Sequence, residues 1–148
     1  SYRLKLGPLT VLLCHGSPRQ TNEFLWESLS PNHLLSNFTE NYGVDIICCS
    51  HTGIKWQRPL PGRRHFVNVG VIGRPENDGQ TDVWFSLLEF RAGKFTCDFR
   101  QLKYDHGRLS REMRREKLKE EFAETIQTGW WTTCMEIMPA KERLRGKF

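Results

Sequence analysis

Short apolar runs separated by Gly and Pro follow one another along the first half of the chain, a pattern typical of strands in a sheet. Apolar Tyr2, Leu4 and Leu6 alternate with basic residues, which predicts a half-buried edge strand. A Gly-Pro turn then leads into a continuous apolar run over Leu9 to Cys14. The two runs together predict a hairpin whose second strand is buried and ends at His15.

The next apolar positions change from strand to helical spacing and back again. Residues 32–42 carry apolar side chains three and four positions apart, which predicts a helix that ends at Gly43. Residues 44–50 are apolar and β-branched and predict a second buried strand, ending at His51. A strand, a helix and a strand in this order predict a βαβ-like unit that presents one histidine at each strand end. Residues 19–31, without a clear period, predict a loop with a short helix.

The remaining pattern predicts one more strand, a hairpin and a long helix. Two prolines and a glycine place residues 54–64 in a loop, and an apolar run over 65–69 predicts a third buried strand. Alternation over residues 81–90 and 94–103 predicts a hairpin, and residues 108–128 predict a single charged helix. No linker divides the chain. We assign residues 1–105 to the main domain and residues 106–148 to a charged helix and tail that pack on it.

Composition narrows the classes of function. The 148 residues carry a formal net charge of +5 and a pI near 9.1, a mild excess that suits small phosphorylated substrates better than a nucleic acid. We therefore do not expect nucleic-acid binding as the main role. No stretch reaches the roughly 20 apolar residues of a membrane span, and the start shows no signal peptide. Five cysteines without a CxxC spacing predict buried thiols in a reducing, cytoplasmic setting.

Five polar residues are candidates for chemistry. His15 and His51 at strand ends are the best, because a neutral imidazole held there suits a metal ion, although each could instead cap its strand by a hydrogen bond. Asn68, at the end of the third strand, is a weaker candidate. Arg19 and Arg74 follow glycine-bearing turns and could grip phosphate oxygens.

Three short motifs, in this order and at these intervals, resemble a known family. They are Cys14-His15-Gly16-Ser17-Pro18, Ser50-His51-Thr52-Gly53, and Asn68-Val69-Gly70-Val71-Ile72-Gly73-Arg74-Pro75. The arrangement resembles the carboxyl-terminal half of the calcineurin-like metallophosphoesterases, whose motifs are His-Gly, Gly-His-Thr-His and Asn-x-Gly-Ser-x-Gly-x-Pro. The similarity is greatest to the bacterial phosphodiesterase and diadenosine-tetraphosphatase-like branch, and it covers most of residues 9–105.

The resemblance implies an α/β fold, half of a four-layer αββα sandwich with a mixed sheet and flanking helices. It implies one or two divalent metal ions, either manganese, iron or zinc, with His15 and His51 as metal ligands and catalytic residues. Apart from the resemblance, Arg19, Asn68 and Arg74 remain possible contacts for the substrate phosphate. Two such ions activate a water molecule for attack on phosphorus. The implied activity is hydrolysis of a phosphomonoester or a phosphodiester.

Two departures from the family limit this interpretation. The motifs that open the family, Asp-x-His, Gly-Asp-x-x-Asp and Gly-Asn-His-Glu or Asp, are absent, and they supply the bridging aspartate and an asparagine ligand. We therefore expect a missing amino-terminal half or a second chain to complete the site, and the start at Ser1 agrees with a fragment. Gly53 stands at the position of the second family histidine. We expect its absence to weaken one metal ion and Gly53→His to restore that ion.

Two functions remain open at this point. The first is a metal-dependent phosphoesterase to which this chain supplies the carboxyl-terminal half of the site. The second is a non-catalytic protein-interaction module on the same scaffold. The presence of both His15 and His51 favours the enzyme, and glycine at position 53 favours the module. The substrate itself has no signature in the sequence.

Overall fold

A mixed five-stranded sheet is the centre of the fold. The computed structural model describes residues 1–143. The strand order is β1-β2-β3-β5-β4, in which β2, β3 and β5 run parallel and the two edge strands run antiparallel. These strands are β1 (Tyr2–Leu6), β2 (Leu9–Cys14), β3 (Ile46–Cys49), β4 (Trp56–Leu60) and β5 (Arg64–Asn68). The prediction of a mixed α/β fold with flanking helices is confirmed.

The register of the three parallel strands aligns their carboxyl ends. Cys14 pairs with Cys49, and Cys49 pairs in turn with Asn68. The residues that follow β2 and β3 therefore leave the sheet side by side at one edge. This alignment places the candidate histidines next to each other.

Each face of the sheet is covered by a different element. Helix α1 (Asn32–Asn41) covers one face and contributes Leu35 and Phe38 to the core. The other face is covered by a hairpin of β6 (Val83–Arg91) and β7 (Lys94–Leu102), which forms a separate two-stranded sheet. The helix, the five-stranded sheet and the hairpin thus form three layers, and both elements were predicted from the sequence.

The thiols behave as small apolar groups inside these layers. All five cysteines are free, and Cys48, Cys49 and Cys97 are buried. Burial raises the pKa of Cys48 to about 12. A thiol in such a place stays protonated and serves packing.

Two of the predicted loops and helices are wrong. Residues 54–64 are not a loop, because they contain β4 followed by the 3₁₀ turn Pro61–Arg63. Strand β4 tolerates Pro59 because it lies at the edge of the sheet, where no neighbour needs the missing N–H. The short helix predicted within residues 19–31 is absent, and this stretch consists of turns and irregular segments.

The predicted helix over residues 108–128 is also wrong, since it is broken in two. Helices α2 (His106–Arg115) and α3 (Glu120–Thr128) are separated by a turn in which Lys117 has a φ of 58°. The break lets the two helices pack on each other, and Ser110 Oγ donates a 3.0 Å hydrogen bond to the carbonyl of Ala123. A last turn, α4 (Ala140–Arg143), follows.

The assignment of residues 106–148 to a helix and tail stays a prediction, and residues 144–148 lie outside the described part. No helix within residues 1–143 is long and apolar enough to cross a membrane.

A buried ion pair ties the hairpin to the loop that follows β5. Lys55 Nζ lies 2.6 Å from Glu76 Oε2, and the backbone N–H of Lys55 donates to Glu76 Oε1 at 2.7 Å. The same ammonium lies 3.6 Å from the centroid of the Trp84 ring in β6. One cation therefore holds three segments together in a largely dry position.

We expect Lys55→Met to lower the free energy of unfolding by about 3 kcal/mol, because it leaves the Glu76 carboxylate buried without its cation. Urea denaturation followed by tryptophan fluorescence measures the change. Arg100→Met is the matched control, since the Arg100–Asp98 pair is exposed, and it should cost less than about 1 kcal/mol. Equal effects of the two variants would contradict the role given to Lys55.

Candidate functional site

Two histidines meet at the carboxyl edge of the sheet. His15 follows β2, His51 follows β3, and His15 Nε2 lies 2.9 Å from His51 Nδ1. The rings meet edge to face, with centroids 4.8 Å apart. The expected convergence of these two side chains is therefore present, and it follows from the parallel pairing of β2 and β3.

Ser50 orients the exposed member of this pair. Its Oγ lies 2.8 Å from His15 Nδ1, so that the other ring nitrogen of His15 faces His51. The role of Ser50 was not predicted from the sequence, because it depends on the register between β2 and β3. In the structure the pairing of Cys14 with Cys49 places the next two residues, His15 and Ser50, opposite each other.

His51 is held in an unusual backbone conformation. Its φ is 81°, in the left-handed region that non-glycine residues rarely adopt. The Phe24 ring lies 4.4 Å from the imidazole, and the next residue, Thr52, accepts a 3.0 Å hydrogen bond from the backbone N–H of Leu25. Strained positions of this kind persist only where their surroundings enforce them, and they cluster at functional sites.

The imidazole of His51 is suited to remain neutral. Burial, together with the nearby His15, lowers its pKa. Its Nε2 is buried and has no hydrogen-bond partner among the residues that the structure describes. Neutral imidazole is the form that binds metal ions.

Asn68 and Arg19, predicted to contact phosphate, lie in different settings. Asn68 is fully buried, where it accepts from Gly70 N–H at 3.1 Å and donates to the Leu25 carbonyl at 3.3 Å. It therefore supports the loop after β5 rather than facing the solvent. Arg19 is exposed and pairs with Glu23, whose pKa it lowers, and it lines a small cavity of about 110 Å³ together with His15.

Arg74, the third predicted phosphate contact, packs against an aromatic ring. Its guanidinium lies 3.7 Å from the centroid of the Trp131 ring and donates a 3.1 Å hydrogen bond to Thr133 Oγ1. Burial lowers its pKa. Arg74 therefore packs on the chain segment that contains Trp131 and Thr133.

The same indole accounts for glycine at position 53. Gly53 has a φ of 85°, and a Cβ built on it would lie 2.6 Å from Cη2 of Trp131. The expectation that Gly53→His restores a ligand stays a prediction, and in this structure the new side chain would require the indole to move. The space that a side chain would need is filled by Trp131, and the backbone there favours glycine.

A groove opens beside the histidines, between the five-stranded sheet and the hairpin. Its volume is about 650 Å³, and His15 and Ser50 form its polar end. The rest of its lining is mainly apolar and includes Leu13, Val69, Val71, Ile72, Trp84 and Leu88. An apolar groove with polar groups at one end is the usual form of a binding site.

The histidine pair can supply two ligands to one metal ion. In this structure the two ring nitrogens share a hydrogen bond of 2.9 Å, and two ligands about 2.1 Å from one ion at a right angle would lie a similar distance apart, about 3 Å. No group of three or more His, Cys, Asp or Glu side chains within residues 1–143 could hold a metal ion. The remaining ligands would have to come from elsewhere.

Comparison with known proteins shows the fold. No family model and no curated protein matches the chain. A hypothetical protein from Pyrococcus horikoshii matches with a TM-score of 0.71 and 17% identity, over 88% of this chain and 51% of its own. A metallophosphoesterase from Sphaerobacter thermophilus matches with a TM-score of 0.60 and 20% identity, over 86% of this chain and 57% of its own.

At these identities the similarity establishes a fold that the chain shares with these two proteins, and not an activity. The chain spans about half the length of the two solved structures that it matches.

Gly53→Ala tests the packing of Trp131 against the histidine turn. We expect it to lower the free energy of unfolding by about 1 to 3 kcal/mol more than Gly43→Ala, because overpacking adds to the cost of the left-handed backbone. Gly43 is the control, because it also has a left-handed backbone, with a φ of 58°, and a Cβ built on it meets no atom within 4 Å. Thermal and urea unfolding measure both variants, and equal losses would show that the indole yields.

Proposed function

We propose that this chain carries the histidine half of a divalent-metal-dependent phosphoesterase site. The observation that supports it is the 2.9 Å approach of His15 Nε2 to His51 Nδ1 at the strand ends of a fold shared with a metallophosphoesterase. The substrate class is a phosphomonoester or a phosphodiester. The finer assignment to the bacterial phosphodiesterase and diadenosine-tetraphosphatase-like branch rests on the motif order alone.

Some residues of this chain would bind the metal ion, and others orient the side chains that bind it. His15 and His51 would hold a manganese, iron or zinc ion, and such an ion polarises a phosphoryl oxygen and activates water. Ser50 fixes the ring of His15, and burial keeps His51 neutral. Arg19 is exposed beside His15 and would bind a phosphate oxygen by exchanging its Glu23 partner for the substrate.

A non-catalytic interaction module is the second candidate. The observation that favours it is the indole of Trp131 over Gly53, together with the lack of a third metal ligand within the described residues. A module of this kind would have the groove as a binding surface and would neither bind the metal ion nor hydrolyse phosphate esters. The two candidates differ in metal binding and in hydrolysis, so one set of measurements separates them.

Removing either histidine tests the enzyme. In the complete protein that contains this chain, we expect His15→Ala and His51→Ala each to lower manganese-dependent hydrolysis of bis(p-nitrophenyl) phosphate by more than about 100-fold, since losing a ligand exceeds the effect of losing its support. His33→Ala, an exposed histidine in α1, is the control and should change nothing. Absence of both metal binding and hydrolysis in the unaltered protein would favour the interaction module.

We also infer that further polypeptide, an amino-terminal half or a second chain, covers the groove. Ile72 in its lining is 63% exposed, and Phe85 is 43% exposed. The match covers only 51% and 57% of the two solved structures that the chain resembles. An interface of more than about 2,000 Å² in total is expected for such a permanent contact.

Residues 1–148 alone should therefore associate and bind a hydrophobic dye such as ANS, and Ile72→Asp should reduce both. Leu29→Asp is the matched control, because Leu29 is 66% exposed and lies outside the groove lining. Sedimentation velocity and dye fluorescence provide the measurements. A monodisperse monomer that melts cooperatively and binds no dye would contradict the inference.

A further inference from the structure

The end of the described chain packs behind the histidine site. We call residues 129–143 the C-terminal clamp. Its first anchor is Trp131, whose backbone N–H donates to Asn77 Oδ1 at 2.9 Å and whose indole N–H donates to the Pro75 carbonyl at 2.7 Å. The Arg74 guanidinium covers the ring at 3.7 Å. The indole is therefore fixed in position and in tilt by the loop after β5.

The second anchor joins the clamp to the segment before α1. Glu142 is 4% exposed, and its two carboxylate oxygens accept from Ser28 N–H at 2.9 Å and from Ser28 Oγ at 2.6 Å. A few residues earlier, Trp26 stacks on Phe24 with centroids 5.5 Å apart. Phe24 in turn lies 4.4 Å from the His51 ring. The segment that Glu142 binds is therefore connected to the His51 imidazole through the rings of Trp26 and Phe24.

The first anchor contacts the turn after β3 directly, and the second reaches it through the segment that contains Phe24. The edge of the Trp131 ring lies against Gly53, two residues after His51, and Phe24 packs on the His51 side chain. The two contacts with the turn belong to one hydrophobic cluster, whose buried members are Trp26, Ile54, Trp131 and Met138. The turn is held from two sides by residues that lie far from it in the sequence.

We propose that Trp131 is a positioning residue for His51. The clamp holds the indole against Gly53, and the indole holds the turn from His51 to Gly53 in its left-handed conformation, with φ values of 81° and 85°. This conformation aims His51 Nδ1 at His15 Nε2. The proposal deepens the metal-dependent function above and rests on it, because the property that Trp131 sets is the affinity of the histidine pair for a divalent ion.

The geometry explains why a rigid support is needed at this place. A non-glycine residue in the left-handed region relaxes to an extended or right-handed conformation unless its neighbours prevent it. Such a relaxation at His51 would move its ring away from His15 and separate the two ligands. Loss of the support should therefore act on the ligand geometry before it acts on the fold.

The test uses the complete protein and manganese as the probe. We expect Trp131→Ala to raise the manganese Kd, measured by isothermal titration calorimetry, by about 10 to 100-fold, the usual effect of losing the support of a ligand. Trp131→Phe should recover part of the loss, because a phenyl ring still fills the space over Gly53. Ile137→Ala is the control, since Ile137 lies on the same clamp and is 43% exposed. It should leave the Kd unchanged.

A second measurement needs no metal. In the metal-free protein at one fixed pH, the carbon-bound ring protons of His51 should give one dispersed set of NMR signals, which Trp131→Ala broadens or shifts towards random-coil positions. If the unaltered protein binds no manganese, the proposed function fails, and these signals still decide whether Trp131 positions His51. A folded Trp131→Ala protein with unchanged His51 signals overturns the proposal.

Glu142→Gln keeps the test open if Trp131→Ala does not fold. It weakens the second anchor and leaves the indole in place, and Glu136→Gln, at an exposed position of the same clamp, is its matched control. We expect the first variant to raise the manganese Kd and to broaden the His51 signals, and the second to do neither. If Glu142→Gln and Glu136→Gln behave alike, the clamp does not set the position of His51.

Discussion

The parallel pairing of β2, β3 and β5 is the constraint on which the candidate site depends. Pairs at the strand ends, Cys14 with Cys49 and Cys49 with Asn68, leave no freedom in how the next residues emerge from the sheet. A shift of one residue in either pairing would exchange the side chains that face α1 with those that face the hairpin, and it would separate the histidines. The core and the site therefore require the same register.

Much of this arrangement was predictable, because buried parallel strands have a strong signature. The runs that end at His15, at His51 and at Asn68 are apolar, short and bounded by turn formers, and the helix before β3 fixes their parallel direction. Convergence of the two histidines follows from that order. The signal is weaker at the edge, where β4 contains a proline and few apolar residues, and the prediction there was wrong.

The rest could not be predicted because it depends on contacts between distant parts of the chain. The break between α2 and α3 at Lys117 has no proline or glycine to announce it, and packing between the two helices decides it. The role of Gly53 is hidden in the same way. In the sequence Gly53 looks like the loss of a metal ligand. In the structure its neighbour is the indole of Trp131, which lies 78 residues later in the chain. Local pattern contains no information about such a partner.

The bond between Ser28 and Glu142 spans 114 residues and has a consequence for biosynthesis. The strand pairs of the sheet and the packing of α1 on it need only the first 68 residues to have left the ribosome, since those contacts lie within that length. The contacts that support the turn after β3 cannot all form until the C-terminal clamp, residues 129–143, has been synthesised. Contacts of such long range also form slowly. A nascent or prematurely terminated chain would thus have a formed sheet and an unsupported turn, and this state would be the one that chaperones and proteases meet.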